Sequence, residues 1–197
     1  AKGSYLLAFK ISGADLAEIY YTKDADVKPG TIVSIDPDLS AGVKKSAGSY
    51  DPNVIGIVST RPGLVIGDSS LAKPSQFPYF GQADSNEILS GKPLPIALSG
   101  RAPVKVSTKN GPIRPGNAIT SSDIPGVGMK AKKAGQVIGV ALTGYDGPED
   151  EIGTVTIFVK PGYYNGESLA SLIEDQGNGT NISHNESGRI LLEKLLG

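Results

Sequence analysis

The sequence lacks several residue types that commonly carry chemistry. It has 197 residues, with no cysteine, no tryptophan and a single histidine. Without cysteine the chain cannot form a disulfide, a catalytic thiolate or a cysteine-based zinc or iron–sulfur site. His184 stands among Asn and Ser in a polar stretch, a setting that disfavours a Ser-His-Asp triad held in a folded core. We expect no cofactor and no metal site.

Concentrated charge and long apolar runs are also missing. The formal net charge is −1, and the lysines are dispersed rather than grouped with aromatic residues, so we expect no nucleic-acid partner. No apolar run is long enough to cross a bilayer, so no membrane span is predicted. Two acidic segments, residues 36–42 and 145–151, lack the spacing of a calcium-binding EF-hand. Solvated loops are their simpler interpretation.

Glycine and proline are abundant, at 26 and 14 residues, which is typical of short strands joined by turns. We predict a β domain over residues 1–162 and a helical or linker tail over 163–197. In the tail, "ESLASLIEDQ" and "RILLEKLLG" have the apolar spacing of short amphipathic helices. Three formal N-glycosylation triplets begin at Asn178, Asn181 and Asn185, and a plain polar linker is the alternative.

One phrase of the sequence occurs twice. "VKPGTIVSID" at 27–36 is echoed by "IRPGNAITSS" at 113–122, and "VIGIVST" from Val54 is echoed by "VIGVALT" from Val137. Pro-Gly favours a chain reversal in which glycine takes a positive φ. The apolar runs around "VIG" predict strands covered on both faces, in which glycine allows close approach of a neighbouring backbone.

The echo leads to a fold prediction. We interpret residues of about 12–62 and 99–145 as repeat units, separated by a Pro-rich excursion over 63–98. Units of three or four short strands cannot bury an apolar face alone, whereas two of them can interlock without free edges. We predict a mainly β fold, a small closed barrel or sandwich built from two pseudo-symmetric β units, with a short helical C-terminal tail. "EIGTVTIFVKPGYY" alternates polar with apolar residues and predicts the closing strand.

Several phrases together resemble a known type of domain. "GADLAEIYYTKDADVKPGTIVSID", "PIALSGRAPVKVSTKNGPIRPGNAITSS" and "VTIFVKPGYY" resemble β-rich modules of very large repetitive bacterial surface or fibre proteins. More loosely, they are similar to autoproteolytic intramolecular-chaperone domains of phage tail fibres and appendages. The resemblance covers roughly residues 12–165, and no self-cleavage junction aligns with either terminus. It implies an extracellular or cell-surface location and a homo-oligomer, a trimer or filament. We expect the contacts between copies to be formed by the 63–98 excursion and by the Leu-rich end, residues 186–197.

Serine is the available nucleophile if the chain cuts a peptide bond. Ser99 in "ALSGR" and Ser59 in "IVSTR" stand where strands meet turns, and Lys105, Lys44 or Lys130 could act as the base of a Ser-Lys dyad. Such a lysine must be buried, because burial lowers its pKa toward neutrality. The alternative is that these hydroxyls satisfy turn amides and the lysines keep a sheet edge soluble.

These observations leave two hypotheses of function. The first is a structural, self-associating module of an extracellular fibre or surface appendage. The second is an autoproteolytic serine domain of the Ser-Lys type that processes a fibre protein. A carbohydrate-binding module is a third option, but an aromatic content of 6% offers few stacking platforms.

Overall fold

The computed structural model describes residues 13–66 and 91–166, which form strands and turns without a helix. The ten strands, in chain order, are β1 Asp15–Thr22, β2 Ile32–Ile35, β3 Val43–Lys45, β4 Val54–Val58, β5 Leu64–Ile66, β6 Lys92–Val106, β7 Ala118–Ser121, β8 Gly128–Lys130, β9 Lys133–Ala141 and β10 Gly153–Gly166. The prediction of a mainly β fold is confirmed. Within the two described ranges, no helix has the length and apolar character that a membrane span requires.

Strand pairing forms two circuits that share the longest strand, β6. In the first circuit β6 pairs with β4, β4 with β2 and β2 with β3. A bridge between Tyr21 and Gly42 then links the start of β3 to β1, which returns to β6. The second circuit runs from β6 through β8, β7, β9 and β10 back to β6. The first part of β6 therefore serves one circuit and its last part serves the other.

The two circuits pair their strands in corresponding registers. Four cross-strand pairs show this: Ile32 with Ile57 and Val33 with Gly56 in the first circuit, and Ala118 with Val140 and Ile119 with Gly139 in the second. In both circuits the first residue named lies just after the Pro-Gly turn, and its partner belongs to the "VIG" strand. Each circuit thus pairs a strand that follows a Pro-Gly turn with a "VIG" strand, and the interpretation of the two units as a repeat stays a prediction.

The two Pro-Gly turns have the backbone that the sequence predicts. Gly30 has a φ of 80° and Gly116 a φ of 91°, in the left-handed region that glycine adopts without a steric penalty. Each glycine donates its amide to the carbonyl of the last residue of the "VIG" strand, Val58 at 2.9 Å and Ala141 at 2.8 Å. The turns thus fasten β4 and β9 in the same way.

Loops from each circuit reach across to the other. The hydroxyl of Tyr50, in the loop between β3 and β4, accepts hydrogen bonds from the amides of Lys132 at 2.8 Å and Lys133 at 3.1 Å. In return, the carbonyl of Gly126, between β7 and β8, accepts a hydrogen bond from the amide of Ile32 at 2.9 Å. The halves are therefore joined by hydrogen bonds as well as by β6.

The core takes side chains from both circuits. The alternation predicted for β10 is confirmed, because Val155, Ile157 and Val159 are buried while Thr154 and Phe158 are exposed. The larger core cluster contains fully buried isoleucines from β2, β7, β9 and β10 and from the segment before β7: Ile32, Ile119, Ile138, Ile157 and Ile113. One apolar interior thus spans the two halves.

The prediction for the "VIG" strands holds for β4 and for part of β9. In β4, all residues are buried except the half-buried Ile55. In β9, Val137, Ile138 and Gly139 are buried, whereas Val140 and the adjoining Leu142 are 39% and 43% exposed. The sequence could not show this, because coverage of the second face depends on what packs there.

Two predicted boundaries also change. The tail was expected from residue 163, but β10 continues to Gly166, since its alternation persists through the two tyrosines. The compact unit that holds the strands ends at Asn165, one residue before the end of β10. Residues 167–197, with the expected helices and glycosylation triplets, lie outside the described residues. Within the 63–98 excursion, Leu64–Ile66 form β5 and the strand β6 begins at Lys92, while 67–90 lie outside the described residues.

Candidate functional site

A pocket of about 250 Å³ lies where the two circuits meet, and three lysines line it. We call it the lysine pocket. Its lining residues are Asp26, Lys28, Thr31, Lys45, Lys105, Ile124, Pro125, Val127 and Ile152. The polar residues come from the first circuit and from β6, and the apolar ones come from the loops next to β8 and β10. The pocket therefore exists only when both halves are folded together.

Backbone pairing positions each lysine. Lys28 opens the first Pro-Gly turn, where its carbonyl accepts a hydrogen bond from the amide of Thr31 at 3.1 Å. Lys105 lies next to that turn because its amide donates to the carbonyl of Gly30 at 2.9 Å. Lys45 ends β3 opposite Val33 of β2. Three distant stretches of sequence thus bring three ammonium groups to one opening.

The charges in the lysine pocket are unbalanced. Lys45 pairs with Asp26 at 3.0 Å between Nζ and Oδ2, and this hydrogen bond holds the pKa of Asp26 below its ordinary value. Nζ of Lys105 donates to Oγ1 of Thr31 at 3.2 Å. Among residues 13–66 and 91–166, neither Lys28 nor Lys105 forms an ion pair. Three ammonium groups therefore face one carboxylate.

Lys105 shows the effect of this imbalance. Burial lowers the pKa of Lys105 below its ordinary value, and the positive charges of Lys28 and Lys45 lower it further. Both causes disfavour the protonated form, which a nearby anion would favour instead. Lys105 was predicted as a site residue, but Lys28, Lys45 and Thr31 were not linked to it. The one indication of this pocket in the sequence was that a lysine, Lys28, directly precedes the first Pro-Gly turn.

Neither predicted serine hydrogen-bonds to Lys105 among the described residues. Ser99 is exposed on β6, six residues before Lys105 in the same strand. Ser59 is buried, its amide donates to the carbonyl of Pro95 at 2.8 Å, and the preceding Val58 accepts from Gly30, the residue whose carbonyl binds the amide of Lys105. The hydroxyl that Lys105 contacts belongs to Thr31. Catalysis by Ser99, Ser59 and Lys105 stays a prediction.

The other predicted lysines and acidic loops have local partners. Nζ of Lys44 lies 3.8 Å from Oδ1 of Asp36, which also accepts a hydrogen bond from the amide of Asp38 at 3.2 Å. Lys130 ends β8. Across the described ranges, no three His, Asp or Glu side chains gather as metal ligands would.

A second feature is an apolar patch on the outward side of β9 and β10. Val140, Leu142 and Phe158 are 39%, 43% and 42% exposed. Because the amide of Leu142 donates to the carbonyl of Thr156 at 2.8 Å, the three side chains lie on neighbouring strands. We call these three residues the β9–β10 apolar face.

The chain is similar in structure to a bacteriophage protein. No protein-family model matches the chain, and no curated protein matches it. Among solved structures, the pre-mature bacteriophage phi29 gene product 12 is similar at 18% identity and a TM-score of 0.49, covering 75% of this chain and 21% of that one. The C-terminal fragment of the same phage protein is similar at 17% identity and a TM-score of 0.48, covering 74% of this chain and 100% of the fragment. This chain thus spans about a fifth of the first structure.

Proposed function

We propose that this chain is a structural β module of an extracellular fibre or surface appendage, and that it associates with further copies of itself through the β9–β10 apolar face. The observation that carries the proposal is the exposure of Val140, Leu142 and Phe158 on neighbouring segments of β9 and β10. Contiguous exposed apolar side chains on a sheet are a common mark of an interaction surface. The resemblance to surface and fibre modules supports the location.

A comparison within the chain shows that this exposure is not required by the fold. In the register shared by the two circuits, Ile57 corresponds to Val140 and Ser59 to Leu142. Ile57 is 0% and Ser59 is 4% exposed. The same strand can therefore be covered on both faces, and in the second circuit a partner would supply the missing cover.

Uncharged and charged residues both surround the face. Three threonines, Thr143, Thr154 and Thr156, lie on or beside the same strands. Exposed Arg101 is paired with Phe158 across β6 and β10, and exposed Lys160 lies two residues farther along β10. A contact between two copies must therefore offset these positive charges. The sequence placed the contact in 63–98 and 186–197, of which 67–90 and 186–197 lie outside the described residues. The β9–β10 apolar face would pair two copies, and the expected trimer or filament would need the further contacts in 63–98 and 186–197 as well.

The test is the size of the particle in solution. We expect sedimentation velocity to show concentration-dependent oligomers for the unchanged chain, and a shift to monomer for the double variant Leu142→Ser with Phe158→Ser. The matched control is Ile35→Ser, because Ile35 is 50% exposed on β2, away from the face. A chain that stays monomeric at its solubility limit would refute self-association. For location, external protease should digest the protein on intact cells or particles.

Autoproteolysis by a serine is the alternative function. One observation favours it: Oγ of Ser59 is buried and has no hydrogen-bond partner among the described residues, so it is not engaged in satisfying a turn amide. A chain extended at both ends should then appear as two bands on a denaturing gel, and Ser59→Ala should leave one. Ser99→Ala is the parallel variant. An extended chain that stays intact rules this alternative out.

A further inference from the structure

We propose that the lysine pocket binds a tetrahedral oxyanion, a phosphate or sulfate group, carried on a small molecule or a sugar. The ammonium groups of Lys28, Lys45 and Lys105 line one opening of about 250 Å³. This proposal is independent of self-association, since the pocket and the β9–β10 apolar face share no residue.

The lysine pocket carries more positive than negative charge. Ammonium groups brought together without counter-charges raise the energy of the folded state, and an anion between them removes that repulsion. Asp26 pairs with Lys45 and also interacts with the charge of Lys28, which lowers the pKa of Asp26 as well. Among the described residues, no carboxylate forms an ion pair with Lys105. Burial lowers the pKa of Lys105, and the charges of Lys28 and Lys45 lower it further. Thr31 adds a hydroxyl that can donate to an anion while it accepts from Lys105.

The second circuit shows that the fold does not need this arrangement. At the other Pro-Gly turn, Arg114 takes the place of Lys28 and pairs with Asp146 at 2.7 Å. The main chain of that turn closes similarly, with the amide of Asn117 donating to the carbonyl of Arg114 at 3.1 Å. A Pro-Gly turn with a balanced charge is thus compatible with this fold. The excess of lysine at the first turn therefore calls for a reason other than folding.

The shape of the pocket narrows the class of ligand. One wall is apolar and consists of Ile124, Pro125, Val127 and Ile152. A free phosphate or sulfate would contact only the lysines and Thr31, whereas a phosphate or sulfate ester could also place a carbon skeleton against this wall. Lysine acts as a point charge toward such anions and does not impose the planar geometry of arginine. Both phosphate and sulfate esters therefore fit.

The test is a titration of the isotope-labelled full chain, followed by NMR at constant ionic strength. The probes are inorganic phosphate, inorganic sulfate and glucose 6-phosphate, with glucose as the uncharged control. We expect saturable shifts at the amides of Thr31, Lys105 and Gly126, and no shifts with glucose. Tighter binding of glucose 6-phosphate than of phosphate supports an ester ligand, and equal binding supports the free anion. Absence of saturable shifts with all three anions overturns the proposal.

Matched lysine variants locate the site. Losing one charge-assisted hydrogen bond should weaken phosphate binding about tenfold, so Lys105→Met and Lys28→Gln should each have this effect. Lys92→Met is the control, because Lys92 is exposed at the start of the same strand as Lys105. Lys28 is exposed on a turn, so Lys28→Gln remains informative if Lys105→Met does not fold. Equal affinity in Lys28→Gln, Lys105→Met and Lys92→Met contradicts binding in the lysine pocket.

Discussion

The two circuits use one backbone plan and differ in what they do with their surfaces. The Pro-Gly turns at 28–30 and 114–116 donate equivalent hydrogen bonds to their "VIG" strands. The first turn adjoins a pocket with excess positive charge, and the second carries the ion pair between Arg114 and Asp146. The backbone hydrogen bonds of the two turns are therefore the same, whereas the side chains next to the turns differ in charge.

The two "VIG" strands also differ in how far their side chains are exposed. β4 has both faces covered, whereas β9 exposes Val140 next to Leu142. The lysine pocket takes residues from both circuits, whereas the apolar face lies wholly in the second. The two proposals therefore place the anion where the halves meet and the second copy on the second half.

The largest expected effect comes from changing the glycine at the equivalent position of each "VIG" strand, Gly56 in β4 and Gly139 in β9. A methyl group at Gly56 would collide with the side chain of Ile96 and come within 2.7 Å of the carbonyl oxygen of Ala97, and one at Gly139 would collide with the carbonyl oxygen of Phe158. We expect Gly56→Ala and Gly139→Ala each to lower the free energy of unfolding by about 3 kcal/mol, measured by urea denaturation. The control is Ala134→Gly, in β9. Gly48→Ala would not serve, because Gly48 has a φ of 85° and any side chain there would strain the backbone. Tolerance at one glycine and not at the other would break the equivalence of the strands.

A smaller effect should follow from changing Asp51, in a loop that the second circuit lacks. Its carboxylate accepts hydrogen bonds from Oγ of Ser34 at 2.6 Å and from the amides of Ala47 at 3.1 Å and Asn53 at 2.9 Å. Burial by itself raises the pKa of Asp51, but these bonds and the charge of Lys44 bring it below the ordinary value of 3.8. We expect Asp51→Asn to cost about 2 kcal/mol at neutral pH.

The pH dependence of this variant has a definite sign. A carboxyl whose pKa is lower in the folded state stabilises the fold above its unfolded pKa, and this contribution disappears as the pH falls through the folded pKa. The difference in unfolding free energy between the unchanged chain and Asp51→Asn should therefore be constant above pH 3.8 and shrink in more acidic solution. A difference that grows on acidification would show that the carboxylate is not stabilised in the fold.

Tyr50 tests how firmly the two circuits are joined. Tyr50→Phe removes the acceptor of the amides of Lys132 and Lys133, which should cost about 1 kcal/mol. Hydrogen exchange at those two amides should become faster, while the amide of Tyr50 itself, bound to the carbonyl of Ser121 at 3.1 Å, should stay protected. Unchanged exchange at Lys132 and Lys133 would mean that this contact does not hold the loop in solution.

Local chemistry made part of the fold predictable from the sequence. Pro-Gly and "VIG" phrases have strong backbone preferences, so the turns at Gly30 and Gly116 and the strand β10 were predicted correctly. The start of β6 was missed, because residues 92–98 were assigned to the Pro-rich excursion, whereas β6 begins at Lys92. The lysine pocket was missed for another reason. Lys28, Lys45 and Lys105 lie on three segments whose proximity is a property of the pairing and not of any local pattern.

The smallest expected effect on stability comes from changing the charged residue that precedes each Pro-Gly turn. Arg114→Gln removes one member of an exposed ion pair and should lower the free energy of unfolding by less than about 1 kcal/mol. Lys28→Gln removes a charge that has no ion-pair partner among the described residues, so stability should stay unchanged or rise slightly. The pKa of Lys105 should also rise, because Lys28 lowers it, and NMR of its Nζ can follow this. Because Arg114 plays no part in the lysine pocket, Arg114→Gln should leave the pKa of Lys105 unchanged. If Lys28→Gln and Arg114→Gln changed the pKa of Lys105 equally, Lys28 would not act on Lys105 through proximity. The proposed difference between the two turns would then be wrong.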